Sequence, residues 1–211
     1  MKKQIIASIL EQDIREVEKK LHQVSGLLDW AQIDFVDGAF VNNVTIDVSE
    51  LEDINHDLRL SAHLMVTRPQ EYLEDCKKVG FEQIVFHYES EGSHSKIIGD
   101  IEDLEMEKVM ALNLNTPLES VLPYLPRLDG VLLMSIQTGW SGQNFIAAAL
   151  DRIKELAILA PDTYIYVDGG IKTHNISEIA AAGADGFIVG TEIFQSPNIE
   201  EKIKELQSKI R

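Results

Sequence analysis

Two aspartates stand out in this sequence because each one ends a short apolar run and is followed closely by glycine. Asp34 lies in segment 32–38, and Asp168 opens segment 168–170. Side chains of a strand alternate between two faces, so Gln32 and Asp34 are expected to share one face. Two carboxyl groups at one place can work as a general base and a general acid, with or without a metal ion. Whether they meet depends on the elements that position them.

Each of eight apolar runs ends in a polar side chain or in glycine. These ends are Ser8, Asp34, His63, His87, Asn113, Ser135, Asp168 and Gly190. In a parallel barrel such ends converge on one mouth, where active sites lie. A single polar strand end is most often structural, because it caps the next helix or faces water. The full set of carboxyl, imidazole and hydroxyl groups indicates acid–base chemistry at one site.

Glycine-rich segments follow the last three of these runs. They are residues 138–143, 168–170 and 190–191. Glycine lets backbone N–H groups approach an anion closely, and in barrels of this kind the last loops commonly form a phosphate site. One Gly-Gly pair would be a weak signal, since turns need glycine in any case. Three such loops in consecutive units predict a bound phosphate.

The apolar runs alternate with stretches of helical periodicity. The runs predict strands at residues 4–8, 30–34, 58–63, 83–87, 108–113, 130–135, 164–168 and 186–190. The stretches predict helices at residues 13–24, 69–79, 117–125, 147–159, 175–182 and 198–210, with weaker helical patterns at 48–55 and 95–104. Eight strand–helix units in about 210 residues favour a (β/α)8 barrel of the α/β class over an open doubly wound sheet.

Composition limits the partners and the compartment. The 211 residues are predicted to form one domain, residues 1–211. No apolar run approaches the roughly 18 residues that a membrane span needs. The formal net charge of -16 argues against nucleic acid and membranes as partners, although backbone amides can still hold a small anion. A single cysteine, Cys76, and an N-terminus without a signal-peptide pattern predict a cytoplasmic location.

Several segments resemble the ribulose-phosphate 3-epimerase family in order and spacing, over nearly the whole chain. They are residues 7–10, 34–41, 63–65, 113–117, 134–135, 139–145 and 167–171. The resemblance implies a TIM barrel of the ribulose-phosphate-binding type. It also implies an isomerase of the pentose phosphate pathway that converts D-ribulose 5-phosphate to D-xylulose 5-phosphate by inverting C3. Segment 63–72 also resembles the allulose-6-phosphate 3-epimerases, so another ketose phosphate is the alternative substrate.

The resemblance implies roles for single residues. Asp34 and Asp168 would form the acid–base pair and, together with His63, would bind a divalent metal ion (Zn, Fe, Mn or Co) that stabilises an enediolate. The implied substrate-binding residues are Ser8, His63, Met65, Met134, Gly139, Trp140, Ser141, Gly142, Gly169, Gly170, Gly190 and Thr191. His87 has no implied catalytic role and is predicted to be a structural, hydrogen-bonded histidine. Family members are often dimers or larger, so a homo-oligomer is an open alternative to a monomer.

Gln32 departs from the family, which has a histidine metal ligand at this position. Its carbonyl oxygen could ligate a cation, although it is a poorer ligand than imidazole for zinc or iron. Its amide could instead donate to an enediolate with no metal present, or the site could have lost its activity. Three hypotheses follow. The chain is a ketose-phosphate 3-epimerase, a related barrel performing decarboxylation or aldol chemistry on another sugar phosphate, or a non-catalytic sugar-phosphate-binding barrel.

Overall fold

Eight parallel strands close into a barrel in the computed structural model, which describes residues 2–210. The strands are β1 (Gln4–Ile9), β2 (Trp30–Val36), β3 (Arg59–Met65), β4 (Gln83–His87), β5 (Glu107–Leu112), β6 (Gly130–Met134), β7 (Tyr164–Asp168) and β8 (Gly186–Val189). Each strand pairs with the next one, and β1 also pairs with β8, where Ile5 lies opposite Phe187. The predicted (β/α)8 barrel is therefore confirmed. An open doubly wound sheet is excluded, because it would leave two unpaired edges.

Helices cover the outside of the barrel. They are α1 (Ile14–Val24), α2 (Leu73–Val79), α3 (His94–Asp103), α4 (Ala148–Leu159), α5 (Ile176–Ala182), α6 (Thr191–Phe194) and α7 (Ile199–Lys209). α1 begins where the Asp13 side chain accepts a hydrogen bond from the backbone N–H of Arg15 at 3.0 Å, which satisfies one free donor of the first turn. Its buried residues Val17, Leu21 and Val24 follow the spacing of one helix face.

The helix predicted at residues 117–125 is wrong. This part of the chain forms two short 3₁₀ turns, Leu118–Ser120 and Leu125–Arg127. Pro123 explains the difference, because proline lacks an N–H and its ring clashes with the carbonyl four residues earlier in a helix. The helix predicted at residues 69–79 is shortened, since its first turn is 3₁₀ before α2 begins.

The two weaker helical patterns have opposite outcomes. Residues 95–104 form α3, a helix of ten residues. Residues 48–55 form only the 3₁₀ turn Val48–Leu51. Its start is fixed by a capping box. The Asp47 side chain accepts a hydrogen bond from the backbone of the first turn, and the Glu50 side chain accepts one from the backbone N–H of Asp47. Helical periodicity alone therefore did not distinguish a full helix from a single capped turn.

The two faces of each strand pack in different places. In β2, Ile33 and Phe35 belong to the core between barrel and helices, where full burial of such a side chain contributes about 1.5–3 kcal/mol. Gln32 and Asp34 alternate with them and are 1% and 3% exposed inside the barrel. A second apolar cluster fills the rest of the interior: Ile6, Trp30, Val85, Val109, Ala111, Leu132, Met134, Ile136, Tyr166 and Ile188. The same alternation directs polar strand ends into the barrel mouth.

The remaining predictions concern membrane spans and the number of domains. Within residues 2–210, no helix combines the length and the apolar character needed to cross a bilayer. A single domain of residues 1–211 stays a prediction, and Met1 and Arg211 lie outside the described residues.

Candidate functional site

Asp34 and Asp168 reach the barrel mouth from two strands that are not neighbours. Asp34 lies opposite His63 in the β2–β3 pair. Asp168 lies opposite Met134 on β6 and Ile188 on β8. In the closed ring, β1 and β8 stand between β2 and β7. The alternation that buries the apolar neighbours of these residues outside the barrel directs both carboxyl groups into the same space.

The amide nitrogen of Gln32 connects the two carboxyl groups. Nε2 of Gln32 donates to Oδ1 of Asp34 at 2.9 Å and to Oδ2 of Asp168 at 3.0 Å. Nδ1 of His63 lies 3.2 Å from the same nitrogen and 2.9 Å from Oδ1 of Asp34. Ser8 completes the group, since its hydroxyl donates to Oδ2 of Asp34 at 2.8 Å. Five side chains from four strands thus form one hydrogen-bonded cluster.

The environment of Asp168 changes the pKa of its carboxyl group. Burial and the neighbouring charge of Asp34 raise the pKa of Asp168 to about 7, against the opposing effects of His63 and of the hydrogen bond from Gln32. Near neutral pH, the Asp168 carboxyl group therefore carries a proton in about half of the molecules. A carboxyl group with a pKa near the working pH suits general acid–base catalysis.

Hydrogen-bonded side chains continue from Nε2 of His63, on the side away from the two aspartates. Nε2 of His63 lies 2.9 Å from Nε2 of His87, and Nδ1 of His87 lies 3.2 Å from Oε2 of Glu89. Burial lowers the pKa of His87 to about 4, so its ring is neutral. Nδ1–H of His87 then donates to Glu89, and its Nε2 accepts from His63. Nδ1 of His63 faces the two aspartates, 2.9 Å from Oδ1 of Asp34, and is the ring nitrogen that a metal ion at this place would bind.

Three side chains of the cluster offer ligand atoms to a metal ion. One carboxylate oxygen from each of Asp34 and Asp168 and one ring nitrogen of His63 lie within 4.8 Å of one another. Two carboxylate oxygens and an imidazole nitrogen suit divalent zinc, iron, manganese or cobalt. The three residues therefore fit a divalent cation. Gln32 presents its N–H group to them, and not its carbonyl oxygen.

A cavity of about 220 Å³ reaches Asp168 from the barrel mouth. Its lining includes eight of the predicted residues: Ser8, Ser141, Gly142, Asp168, Gly169, Gly170, Gly190 and Thr191. It also includes Glu11 and Lys20, which the sequence analysis missed. Their side chains form an ion pair at 2.5 Å, and Nζ of Lys20 lies 4.7 Å from the centroid of the Phe194 ring. The sequence carries no signal for this pair, because the contact depends on where α1 lies against the barrel.

Four predicted residues are buried and do not line this cavity. They are Asp34, His63, Met65 and Met134. Asp34 is linked to the cavity by its hydrogen bond from Ser8. Met134 packs into the barrel interior with Leu132 and Tyr166. A direct contact of the two methionines with substrate therefore stays a prediction.

The loop between β6 and α4 places Gly139 and Trp140 at the rim of the barrel. The carbonyl of Gly139 accepts a hydrogen bond from Nδ2 of Asn43 at 2.9 Å, and a Cβ at Gly139 would lie 2.4 Å from the Val41 side chain. This loop and the loop after β2 are therefore in close contact. Trp140 is 51% exposed, and its role in binding substrate stays a prediction.

Ser135 bonds to the backbone at the end of β7, next to the glycines that line the cavity. The hydroxyl of Ser135 lies 2.8 Å from the carbonyl oxygen of Asp168 and 2.6 Å from that of Gly169. Gly170 has a φ of +62°, and a Cβ there would lie 2.2 Å from the backbone nitrogen of Phe145. Only glycine fits this position without displacing the chain. The polar end of β6 had marked Ser135 in the sequence, but its two carbonyl partners were not predicted.

A larger cleft of about 560 Å³ lies at the other end of the barrel. Its lining includes Lys3, Gln4, Asp29 and Ile210. In barrels of this fold, active sites lie at the carboxyl ends of the strands, and the opposite face serves stability. We therefore assign the candidate site to the smaller cavity, which contains Asp168 and the glycine loops.

The chain matches known proteins over nearly its whole length. The profile of the ribulose-phosphate 3 epimerase family matches residues 4–194. The chain belongs to this family. The ribulose-phosphate 3-epimerase of Schizosaccharomyces pombe is 32% identical over 212 residues, which cover 98% of this chain and 93% of the relative. The ribulose-phosphate 3-epimerase of Escherichia coli K12 is 32% identical over 219 residues, which cover 100% of this chain and 97% of the relative.

Solved structures of other barrels also resemble this one. The 3-hexulose-6-phosphate synthase of Salmonella typhimurium has a TM-score of 0.75 at 14% identity, with 98% of each chain covered. The KGPDC of Streptococcus mutans has a TM-score of 0.76 at 12% identity, with 100% of this chain and 98% of the other covered. At these identities the likeness shows the fold alone. The family match confirms the resemblance found in the sequence and the predicted enzyme class, an isomerase acting on carbohydrates.

Proposed function

We propose that this chain interconverts D-ribulose 5-phosphate and D-xylulose 5-phosphate by inverting C3. The main support is the pair of carboxyl groups of Asp34 and Asp168, which come from different strands and meet at the Gln32 amide. Epimerisation needs one group to remove a proton from one face of C3 and another to return a proton to the opposite face. The names of the family relatives support the choice of substrate.

The proposed proton transfers use the two aspartates in turn. Ionised Asp34 removes the C3 proton, and the electron pair of the broken C–H bond moves to the C2 carbonyl oxygen, which gives an enediolate. Protonated Asp168 then delivers its proton to the other face of C3, and the C2 carbonyl forms again. The roles exchange in the reverse direction. When bound, a divalent cation held by Asp34, His63 and Asp168 supplies Lewis-acid stabilisation of the enediolate oxygens.

The substrate phosphate is proposed to bind at the glycine loops. The cavity lining beside Gly170, Gly190 and Thr191 supports this position, because backbone N–H groups can hold an anion even in a chain of formal net charge -16. Lys20 adds a positive charge to the same lining, where Glu11 holds it.

Turnover in deuterium oxide tests the proposal. Wild-type protein should form xylulose 5-phosphate and incorporate deuterium at C3, as seen by proton NMR. Asp34→Asn and Asp168→Asn should each lose turnover by about 10²–10⁴-fold, the range of general acid–base catalysis. Asp185→Asn is the matched control. Asp185, which directly precedes β8, is also buried, but its side chain accepts a hydrogen bond from the backbone N–H of Ile165 in β7. Normal turnover in both active-site variants would exclude the assignment.

The same assay separates the alternatives. Faster exchange on allulose 6-phosphate would identify another ketose phosphate as the substrate. Phosphate-dependent binding without exchange on any ketose phosphate would support a sugar-phosphate-binding barrel. A cytoplasmic location is part of the proposal, supported by the single cysteine and by a rice relative named as a cytoplasmic isoform. A homo-oligomer is likewise proposed, and light scattering after size-exclusion chromatography would test it.

A further inference from the structure

The amide nitrogen of Gln32 lies where the three candidate metal ligands converge. Nε2 is 2.9 Å from Oδ1 of Asp34, 3.0 Å from Oδ2 of Asp168 and 3.2 Å from Nδ1 of His63. These three residues are the ones whose ligand atoms lie within 4.8 Å of one another. A hydrogen-bond donor and a cation both need the lone pairs of these atoms. The amide and the cation therefore address the same atoms.

The neighbours of Gln32 determine which end of its amide faces the cluster. A glutamine amide can present either its N–H₂ group or its carbonyl oxygen. With the oxygen turned inward, the amide would lose both hydrogen bonds to the carboxyl oxygens, and an ionised carboxyl group would repel it. With the nitrogen turned inward, the two N–H bonds meet two acceptors. Gln32 is 1% exposed, so water cannot replace these bonds readily.

We propose that the Gln32 amide is a built-in competitor of the divalent cation at this site. Its N–H₂ group satisfies the ligand atoms in the metal-free protein, and a cation binds only after both hydrogen bonds are given up. In the metal-bound protein, Gln32 offers no more than a neutral amide oxygen, which is a weak ligand for zinc or iron. Loss of the amide therefore removes more stabilisation from the metal-free state than from the metal-bound state. The inference concerns cation binding and does not depend on the substrate.

Metal affinity in variants without the amide tests this inference. Isothermal titration with Co²⁺, at an alkaline pH where protons compete little, would compare wild type with Gln32→Leu, a variant of similar volume with no donor or ligand atom. We expect a dissociation constant at least about tenfold lower in the variant. A higher dissociation constant in Gln32→Leu would identify Gln32 as a ligand and overturn the proposal. An equal dissociation constant, or the absence of binding to both proteins, would overturn it as well.

Gln83→Leu is the matched control for this titration. Gln83 is also buried inside the barrel, at 2% exposure, and its Nε2 donates to Oε2 of Glu107 at 2.9 Å and to the hydroxyl of Tyr166 at 3.0 Å. It touches none of the three candidate ligands in these contacts. Cobalt affinity in Gln83→Leu should equal that of wild type. An equal rise in cobalt affinity in Gln32→Leu and Gln83→Leu would mean that a general loosening of the barrel causes the effect, and it would overturn the proposal.

NMR of the wild-type protein gives a second test that does not depend on the folding of a variant. The ¹H–¹⁵N signals of the Gln32 side-chain amide would be followed during titration with Zn²⁺. Saturation should shift both amide proton signals, because Nε2 must leave the two carboxyl groups. The Gln83 amide signals should stay in place. A saturated zinc site with unshifted Gln32 signals would overturn the proposal.

Discussion

Replacement of Asp168 by asparagine should stabilise the protein at neutral pH while it removes an acid–base group. Burial and the charge of Asp34 raise the pKa of Asp168 from 3.8 to about 7 in the folded protein. The folded pKa is above the unfolded one, so the contribution of this group to stability is fully present below about pH 4 and is lost as the pH rises through about 7. This rise in the pKa corresponds to about 4 kcal/mol of unfolding free energy.

Urea denaturation would measure this effect. Asparagine keeps a carbonyl oxygen that can accept the hydrogen bond from Gln32, but it cannot ionise. The free energy of unfolding of wild type and Asp168→Asn would be compared between about pH 5 and about pH 8, with a chelator present. The advantage of the variant should grow by about 2 kcal/mol between pH 5 and pH 7 and then level off.

Asp37→Asn provides a control of opposite sign. Burial opposes ionisation of Asp37, but backbone hydrogen bonds from Phe40, Thr67 and Ala39 lower its pKa overall. Its contribution to stability is therefore present above the unfolded pKa, and the asparagine variant should lose stability relative to wild type as the pH rises from the acid range.

Parallel stability curves for wild type and Asp168→Asn would refute the reasoning, because they would show that Asp168 ionises in the folded protein without a penalty.

Three smaller changes test the cavity lining and the serine that supports it. Gly170→Ala adds a Cβ 2.2 Å from the backbone nitrogen of Phe145 at a φ of +62°, so it should cost more than about 2 kcal/mol of unfolding free energy. Gly142→Ala, with no atom within 4 Å of the added Cβ, should cost only backbone strain, about 1 kcal/mol, and equal losses would contradict this reasoning. Ser135→Ala removes the donor to the Gly169 carbonyl and should lower the free energy of unfolding by about 1–3 kcal/mol. It should also raise KM more than it lowers kcat. Unchanged urea denaturation and unchanged kinetics would contradict this prediction.

The strands could be predicted within two residues because the barrel buries them on both faces. Such strands read as continuous apolar runs with polar ends, and the predictions at 83–87 and 164–168 coincide with β4 and β7. The helix predicted at 117–125 shows the limit of pattern reasoning. Leu118 and Val121 are buried as the pattern implies, but burial does not require a helix. A single proline prevents the helix and leaves the packing intact.

The carboxyl pair could be predicted from strand ends, whereas its contacts could not. Alternation along a strand fixes the face of a side chain, but not the atom that it meets across the barrel. His87 and Glu89 lie two residues apart at the end of β4, and this spacing could have revealed the chain behind His63. The ion pair of Glu11 and Lys20 could not be foreseen, because it depends on the placement of α1.

Gln32 left three interpretations open in the sequence, and in the structure it bonds to both carboxyl groups. Two buried carboxyl groups are costly unless donors satisfy them. Gln32 and Ser8 supply three hydrogen bonds to Asp34 and Asp168 from neighbouring strands. The hydrogen bonds that we propose to oppose a cation therefore also hold the two carboxyl groups in place.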